Sequence, residues 1–260
     1  MPDIKKKSLQ PGDRRAGAGT LFVVGIGPGA PEHRTFAAVD AICRSRVVAG
    51  YSAYMETIRD LMDDRETIVT GMRQEKERVR QALMEAAAGK TVALVSSGDP
   101  GVYGMAGLAL EMADAEFPDV EVEIVPGVTA ATAAAAAIGA PLMLDFAVIS
   151  LSDLLVPWER IQERLDGVAK AGLVTVLYNP RSRRRVTQLD EAVDIFLRYQ
   201  TPQTPAAVVT YAGCENETVW LGELGNLLNC DVGMHSIVMI TNEFAKIINR
   251  RLVMPRGYRL

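Results

Sequence analysis

Cysteine and histidine are scarce in this 260-residue chain: Cys43, Cys214 and Cys230 are the only cysteines, His33 and His235 the only histidines. The cysteines are odd in number, far apart and without C-x-x-C spacing, which argues against a disulfide framework or a thiolate zinc site and points to a reduced, cytoplasmic setting. The histidines have no H-x-x-x-H pairing, so structural or surface roles are expected and no metal. Positive charge is not in excess either. Against 28 Lys and Arg stand 32 Asp and Glu, a net charge of −4 that argues against nucleic acid as the default partner. Long apolar runs are missing too: "VTAATAAAAAIGAPLML", residues 128 to 144, is mostly Ala, is broken by Gly139 and Pro141, and reads as a buried helix with no membrane span expected. The first nineteen residues carry Lys5, Lys6, Lys7, Arg14 and Arg15 against Asp3 and Asp13, lack the apolar core of a secretory signal, and read as a flexible basic tail.

What is present is an alternation. Short β-branched runs ("LFVV", "RVVAGY", "ETIVT", "TVALVSS", "VEVEIV") are separated by helical patterns over 35–45, 52–62, 74–88 and 104–115, with a further helix over 129–138. Strands separated by helices of this length predict βαβ units and a mostly parallel sheet, so the fold class is α/β. A second series starts after Gly139-Ala140-Pro141: "DFAVISLS", an amphipathic helix over 157–170, "LVTVLYN", a helix over 186–199, "AAVVTYAG", "ETVWLGEL" and "SIVMIT". The reading is a tail over 1–19, an N-terminal α/β domain over 20–141 and a C-terminal α/β domain over 142–260, the latter richer in β near its end.

The first loop, "VVGIGPGA", matches the G-x-G-x-x-A pattern of a dinucleotide-binding turn through Gly25, Gly27 and Ala30. That turn works by aiming backbone N–H groups at a pyrophosphate. Pro28 has no N–H, Pro31 removes another donor, and the next strand ends in Gly50-Tyr51 with no carboxylate before Glu56 to hold a ribose. Two physical requirements fail, leaving either a tight turn that admits a bulky ligand without phosphate or a simple close approach of backbone.

In an open parallel sheet, ligands sit beyond the carboxyl ends of strands. The loops there, "GDPGVYGMAG" (98–107), "PGVTAATA" (126–133), "LYNPRSRRR" and "YAGCE", are rich in small residues, which suits an uncharged or cationic organic cofactor better than a polyanion. Asp99 fits both a turn that bonds its own backbone and a ligand-binding carboxylate; Tyr103 and Thr129 carry the same two readings.

Together, "VVGIGPGAPE", "SSGDPGVYGMAG", "VPGVTAATAAAAAIGAPL", "ISLSDLLVPWERI", "LYNPRSRRR" and the terminal "PRGY" resemble the tetrapyrrole methylases, over residues 20 to 258 and in family order. "SLSDLLVPW" and "LYNPRSRRR" resemble the branch that methylates carbon 17 of precorrin-3B in cobalamin biosynthesis. The resemblance implies two α/β domains of the tetrapyrrole methylase type, usually as a homodimer, with S-adenosylmethionine in the cleft between domains. It also implies cofactor contacts at Gly27, Pro28, Gly29, Gly98, Asp99, Val102, Tyr103, Thr129, Ala130, Tyr178, Asn179 and Gly213. Where members often have Met-Thr and Arg, this chain has Arg34-Thr35 and Cys214.

The implied reaction also contracts the macrocycle, a step that benefits from a proton acceptor. Asp99 and Asp153 are the candidates; an Asp following Ser at a strand end is equally a helix cap. The polycarboxylate substrate, precorrin-3B or its cobalt form, needs cations, and Arg181, Arg183, Arg184 and Arg185 supply them unless they form only a solvated helix start. Arg73 is a further candidate, while Lys76, Arg78 and Arg80 are expected on an exposed face with Glu75 and Glu77. Three other readings remain open: a methylase of another tetrapyrrole carbon, an NAD(P)-dependent oxidoreductase, and a tetrapyrrole-binding protein that transfers nothing.

Overall fold

The computed structural model describes residues 17–259, so the basic tail lies almost wholly outside the described residues. The described residues divide into two compact units: one holds Arg34–Gly127 and the described chain up to Ile26, the other holds Gly27–His33 and the described chain from Val128 onward.

In the first unit the elements are β1 (Thr20–Gly25), α1 (Phe36–Arg44), β2 (Val47–Tyr51), α2 (Ser52–Thr57), β3 (Glu66–Thr70), α3 (Glu75–Ala87), β4 (Val92–Ser96), α4 (Ala106–Glu116) and β5 (Glu121–Val125). The strands pair in the order β3-β2-β4-β1-β5, every pair parallel. Alternation decides which helix covers which face. Leu21 and Val23 of β1 pack with Val79, Leu83 and Ala109 of α3 and α4, whereas Phe22 and Val24 pack with Ile42 and Met55 of α1 and α2. Because both faces are covered, the central strands read as continuous apolar runs.

The strand order has one switch point. Strand β1 continues through α1 to β2 on one side, while its neighbour β4 continues through α4 to β5 on the other. Their loops therefore diverge, opening the crevice where α/β sheets bind ligands.

The second unit contains α5 (Ala130–Ile138), β6 (Gly139–Ala140), β7 (Phe146–Ser150), α6 (Trp158–Lys170), β8 (Val174–Tyr178), α7 (Gln188–Leu197), β9 (Pro205–Thr210), β10 (Thr218–Glu223), β11 (Ser236–Ile240), β12 (Lys246–Ile248) and β13 (Arg251–Val253). Its main sheet runs β10-β9-β11-β8-β7; only β7 and β8 are parallel, the rest antiparallel. Helices α6 and α7 bury Leu165, Leu189 and Phe196 on one face, and the Ala-rich α5 packs Ala131, Ala134 and Ile138 on the other against Val176, Val209 and Met239. A small sheet, β12-β13-β6, joins Gly139-Ala140 to Leu252-Val253. The turn chemistry at Gly139-Ala140-Pro141 marks the start of the second series of strands, while packing assigns the helix before it to the second unit as well.

One local expectation changes. The helix expected over 52–62 ends at Thr57 and resumes as a 3-10 turn at Arg59–Leu61, because the Arg34 guanidinium takes the Thr57 carbonyl and pairs with Asp60. The β6, β12 and β13 strands are too short to leave a periodic signal.

Gly167 lies inside α6 in the open, where an added Cβ meets nothing within 4 Å. Gly167→Ala should therefore raise stability by about 0.5–1 kcal/mol through lost unfolded-state freedom. An unchanged or lower urea midpoint would contradict this.

Candidate functional site

The switch-point loops of the first unit meet through backbone. A Cβ on Gly25 would stand 2.6 Å from the Gly98 carbonyl oxygen, and one on Gly127 would stand 2.1 Å from the same atom. Only glycine fits at these ends of β1 and β5. Asp99 follows directly, and both its oxygens are engaged: Oδ1 accepts from the Gly101 N–H at 2.8 Å and Oδ2 from the Gly127 N–H at 3.0 Å. The turn reading of Asp99 is thus realised, and the same carboxylate also ties the β4 loop to the β5 loop. Val102 donates its N–H to the Asp99 carbonyl at 3.2 Å. Tyr103, half exposed, adopts φ +54°, a left-handed conformation that costs a bulky residue on the order of 1–3 kcal/mol and tends to persist at ligand sites.

In the second unit the phenol of Tyr178, at the end of β8, reaches the start of α5. Its oxygen accepts from the Ala131 N–H at 2.8 Å and lies 2.5 Å from Thr129 Oγ1, so one hydroxyl satisfies an amide that a helix start leaves open. Thr129, Ala130 and Tyr178 are therefore brought together. Asn179, the next residue, also has positive φ (+53°). Its side chain donates to Ser150 Oγ at 2.9 Å and its carbonyl accepts from Arg185 Nε at 2.7 Å.

The glycine loop of residues 27–33 packs in this second unit against the loop after β9. Ala30 donates its N–H to the Gly213 carbonyl at 3.0 Å, and the Cys214 thiol points at the Pro28 carbonyl, Sγ to O 3.5 Å. The Gly213 N–H in turn donates to Glu217 at 2.7 Å. With Pro28 lacking an N–H and the Ala30 N–H already used, the loop has lost donors on which a diphosphate would depend. A groove of about 620 Å3 opens beside it, lined by Ala30, His33, Thr132, Gly213, Cys214 and Glu217 among others. Burial, with Glu217 nearby, pushes the Cys214 thiol above its ordinary pKa, so it is neutral near pH 7.

The predicted cations divide. Arg181 pairs with Asp190, and Arg185 is buried, held to Asn179 and opposite Asp153, with desolvation drawing its pKa below the ordinary value. Arg183 and Arg184 are exposed, with no ion-pair partner among the described residues. Arg73 is exposed in a turn at φ +66°. Asp153 is exposed and accepts from Gln188 Nε2 at 3.0 Å.

The expected exposed face of Lys76, Arg78 and Arg80 needs correction. Arg78 is only 2% exposed and donates to Thr70 Oγ1 (2.7 Å) and the Gly71 carbonyl (2.9 Å), bracing the turn that carries Arg73. The signal was in the sequence: Arg78 stands four residues before Ala82 and eight before Ala86 on the apolar stripe of α3. Two neighbouring features leave no mark in the sequence. Tyr211, at φ +54° and stacked on His235 with centroids 4.8 Å apart, and Ser150, which receives Asn179, announce themselves only in three dimensions. Among the described residues no cluster of three His, Cys, Asp or Glu side chains is placed to hold a metal ion.

The family model for tetrapyrrole (corrin/porphyrin) methylases matches residues 20–228. The chain belongs to that family. As a tetrapyrrole methylase it is 44% identical, over 92% of its own length and 100% of the other's, to a probable cobalt-factor III C(17)-methyltransferase of Salmonella typhimurium. The solved structure of the methyltransferase CobJ aligns with a TM-score of 0.85 at 31% identity, covering 92% of this chain and 100% of that one. A uroporphyrin-III C-methyltransferase of Thermus thermophilus, solved in complex with S-adenosylhomocysteine, aligns at 0.70 with 25% identity over 86% and 98% of the two chains. With this membership the dinucleotide-oxidoreductase reading falls. No helix among the described residues is long and apolar enough to cross a membrane.

Proposed function

We propose that this tetrapyrrole methylase transfers a methyl group from S-adenosylmethionine to carbon 17 of a corrin precursor, precorrin-3B or its cobalt form, with the coupled ring contraction. A cytoplasmic homodimer is part of the same proposal. The observation that carries it is the Gly27–Ala30 turn, whose amide donors are missing at Pro28 or spent on Gly213. A ligand there is recognised without phosphate, as adenosine and a sulfonium are.

When bound, S-adenosylmethionine would supply an electrophilic methyl group, its carbon–sulfur bond giving way to the new carbon–carbon bond with the electron pair left on sulfur. The chain's part is to bind and orient. Gly27, Pro28 and Gly29 with Gly213 offer a close backbone wall; Gly98, Asp99, Val102 and Tyr103 form the β4 loop; Thr129, Ala130, Tyr178 and Asn179 present hydroxyl, amide and carbonyl groups. These groups are mostly neutral, and the Asp99 carboxylate is occupied by two amides. A site whose carboxylates, Asp99 and Glu217, are engaged by backbone amides would avoid stabilising the charged ground state over the transition state, in which that charge disperses. Orientation of well-placed reactants then contributes up to ~7–11 kcal/mol of barrier lowering.

Of the two carboxylates, Asp153 is assigned to proton acceptance, since its hydrogen bond to Gln188 engages one oxygen, whereas Asp99 serves to position its loop. Arg73, Arg183 and Arg184 are assigned to substrate carboxylates. Arg181 and Arg185 support the same loop from within, through Asp190 and Asn179.

Calorimetry should detect binding of both S-adenosylmethionine and S-adenosylhomocysteine. Incubation with a trimethylated tetrapyrrole, metal-free or cobalt-containing, should add one methyl mass. Tetrapyrrole recovered unmethylated in both forms would overturn the proposal.

A further inference from the structure

The loop after β7 displays two leucines that the core does not claim. It is anchored at both ends: Leu151 is fully buried and donates its N–H to the Tyr178 carbonyl at 2.9 Å, while Val156 and Trp158 pack on the α6–α7 core. Between these anchors Leu154 and Leu155 stand 69% and 96% exposed. A loop this firmly held does not present adjacent leucines to water through fraying, and exposed apolar groups clustered beside polar ones mark contact surfaces.

The neighbouring loop supplies the polar part. Strands β7 and β8 are parallel and in register at Ser150 and Tyr178, so the loops that follow emerge side by side. They are tied by the hydrogen bond from Gln188 to Asp153. The β8 loop carries Arg183, Arg184 and Val186, all exposed, with the two guanidiniums lacking ion-pair partners among the described residues. Arg181 and Arg185 turn inward instead, to Asp190 and Asn179, and hold the backbone that presents them.

We infer that Leu154 and Leu155, together with Arg183 and Arg184, form a two-part docking surface for the tetrapyrrole, the leucines covering the apolar macrocycle and the arginines receiving carboxylates on its rim. The inference rests on the proposed function and names specificity residues for it. Charge complementarity selects the occupant. A disc that is apolar on its faces and anionic at its edge matches two leucines beside two guanidiniums without ion-pair partners among the described residues, whose planar forks donate to carboxylates.

The test titrates a cobalt-containing trimethylated tetrapyrrole by absorbance into wild type, Leu154→Ser/Leu155→Ser and Arg183→Gln/Arg184→Gln, at low and high salt. Calorimetry with S-adenosylmethionine and sedimentation run alongside. Both leucines are exposed, so the fold and the cofactor affinity should be retained. The leucine variant should bind the tetrapyrrole about tenfold more weakly at both salt concentrations, as expected for lost apolar contact. The arginine variant should lose most of the salt dependence of binding, since screening acts on exposed charges. Unchanged tetrapyrrole affinity in the leucine variant overturns the inference, as does a fall in its sedimentation coefficient, which would make the leucines a contact between copies. Failure of the wild type to methylate counts against the proposed function; methylation by a wild type whose leucine variant binds equally well counts only against this surface.

Discussion

Gly127→Ala should destabilise the protein by about 3 kcal/mol, at the upper end of what overpacking costs. Its added methyl group would stand 2.1 Å from the Gly98 carbonyl oxygen and 2.7 Å from that of Gly25, and both obstacles are backbone atoms. No side-chain rotation relieves them. The Gly25 carbonyl ends β1 and the Gly98 carbonyl follows β4 by two residues, and these strands are paired in register, Gly25 with Ser96 and Val24 with Val125, so relief requires parting β1, β4 and β5 or distorting the loops that follow. The Gly127 N–H to Asp99 bond is strained by the same shift. Urea unfolding of Gly127→Ala beside Gly167→Ala, the same chemical change in open space, isolates the effect of crowding. A Gly127→Ala protein within about 0.5 kcal/mol of wild type, the ordinary range for a harmless surface change, would mean the three loops do not pack as described.

The second large effect concerns the loop proposed to hold the cofactor and is reversible by design. A Cβ on Gly29 would lie 2.1 Å from Cys214 Sγ but 3.5 Å from Cys214 Cβ. The obstacle is therefore a single sulfur atom. Gly29→Ala should push residues 27–30 away from Gly213 and Cys214 and weaken S-adenosylmethionine binding about tenfold, which corresponds to roughly 1.4 kcal/mol. Cys214→Ala in the same chain removes the sulfur and leaves an ordinary van der Waals contact, so the double variant should recover to within about threefold of wild type, a coupling that a double-mutant cycle measures. Cys214→Ala alone gives up only a weak thiol hydrogen bond to Pro28. Calorimetric titration of all four proteins decides it. If the double variant binds as poorly as Gly29→Ala, crowding at Cys214 is not how Gly29 acts.

In the first loop, composition and spacing reach some way toward the site. Pro28 and Pro31 lack amide hydrogens in any fold, so the weakness of a phosphate site was visible in the sequence. That the Ala30 amide is also spent, on Gly213 some 180 residues later, was not. The arginine cluster shows the converse. Four guanidiniums within five residues look alike in sequence, yet Asp190 and the Asn179 carbonyl withdraw two of them and leave Arg183 and Arg184 outward. Arg78 carries a charge that suggests an exposed face, yet it stands on the apolar stripe of its helix, and its buried guanidinium satisfies Thr70 and Gly71.

By itself the sequence determined the α/β class, nearly every long element and the family, because apolar periodicity, turn residues and contiguous motifs are local properties of the chain. Tertiary structure alone decided the antiparallel pairing of β9, β10 and β11, the grouping of Gly27–His33 and α5 with the second unit, and which carboxylates and guanidiniums are free to act. Those outcomes depend on which distant backbone and side-chain groups satisfy one another, and a hydrogen bond between residues far apart leaves no periodic trace in the residues that make it.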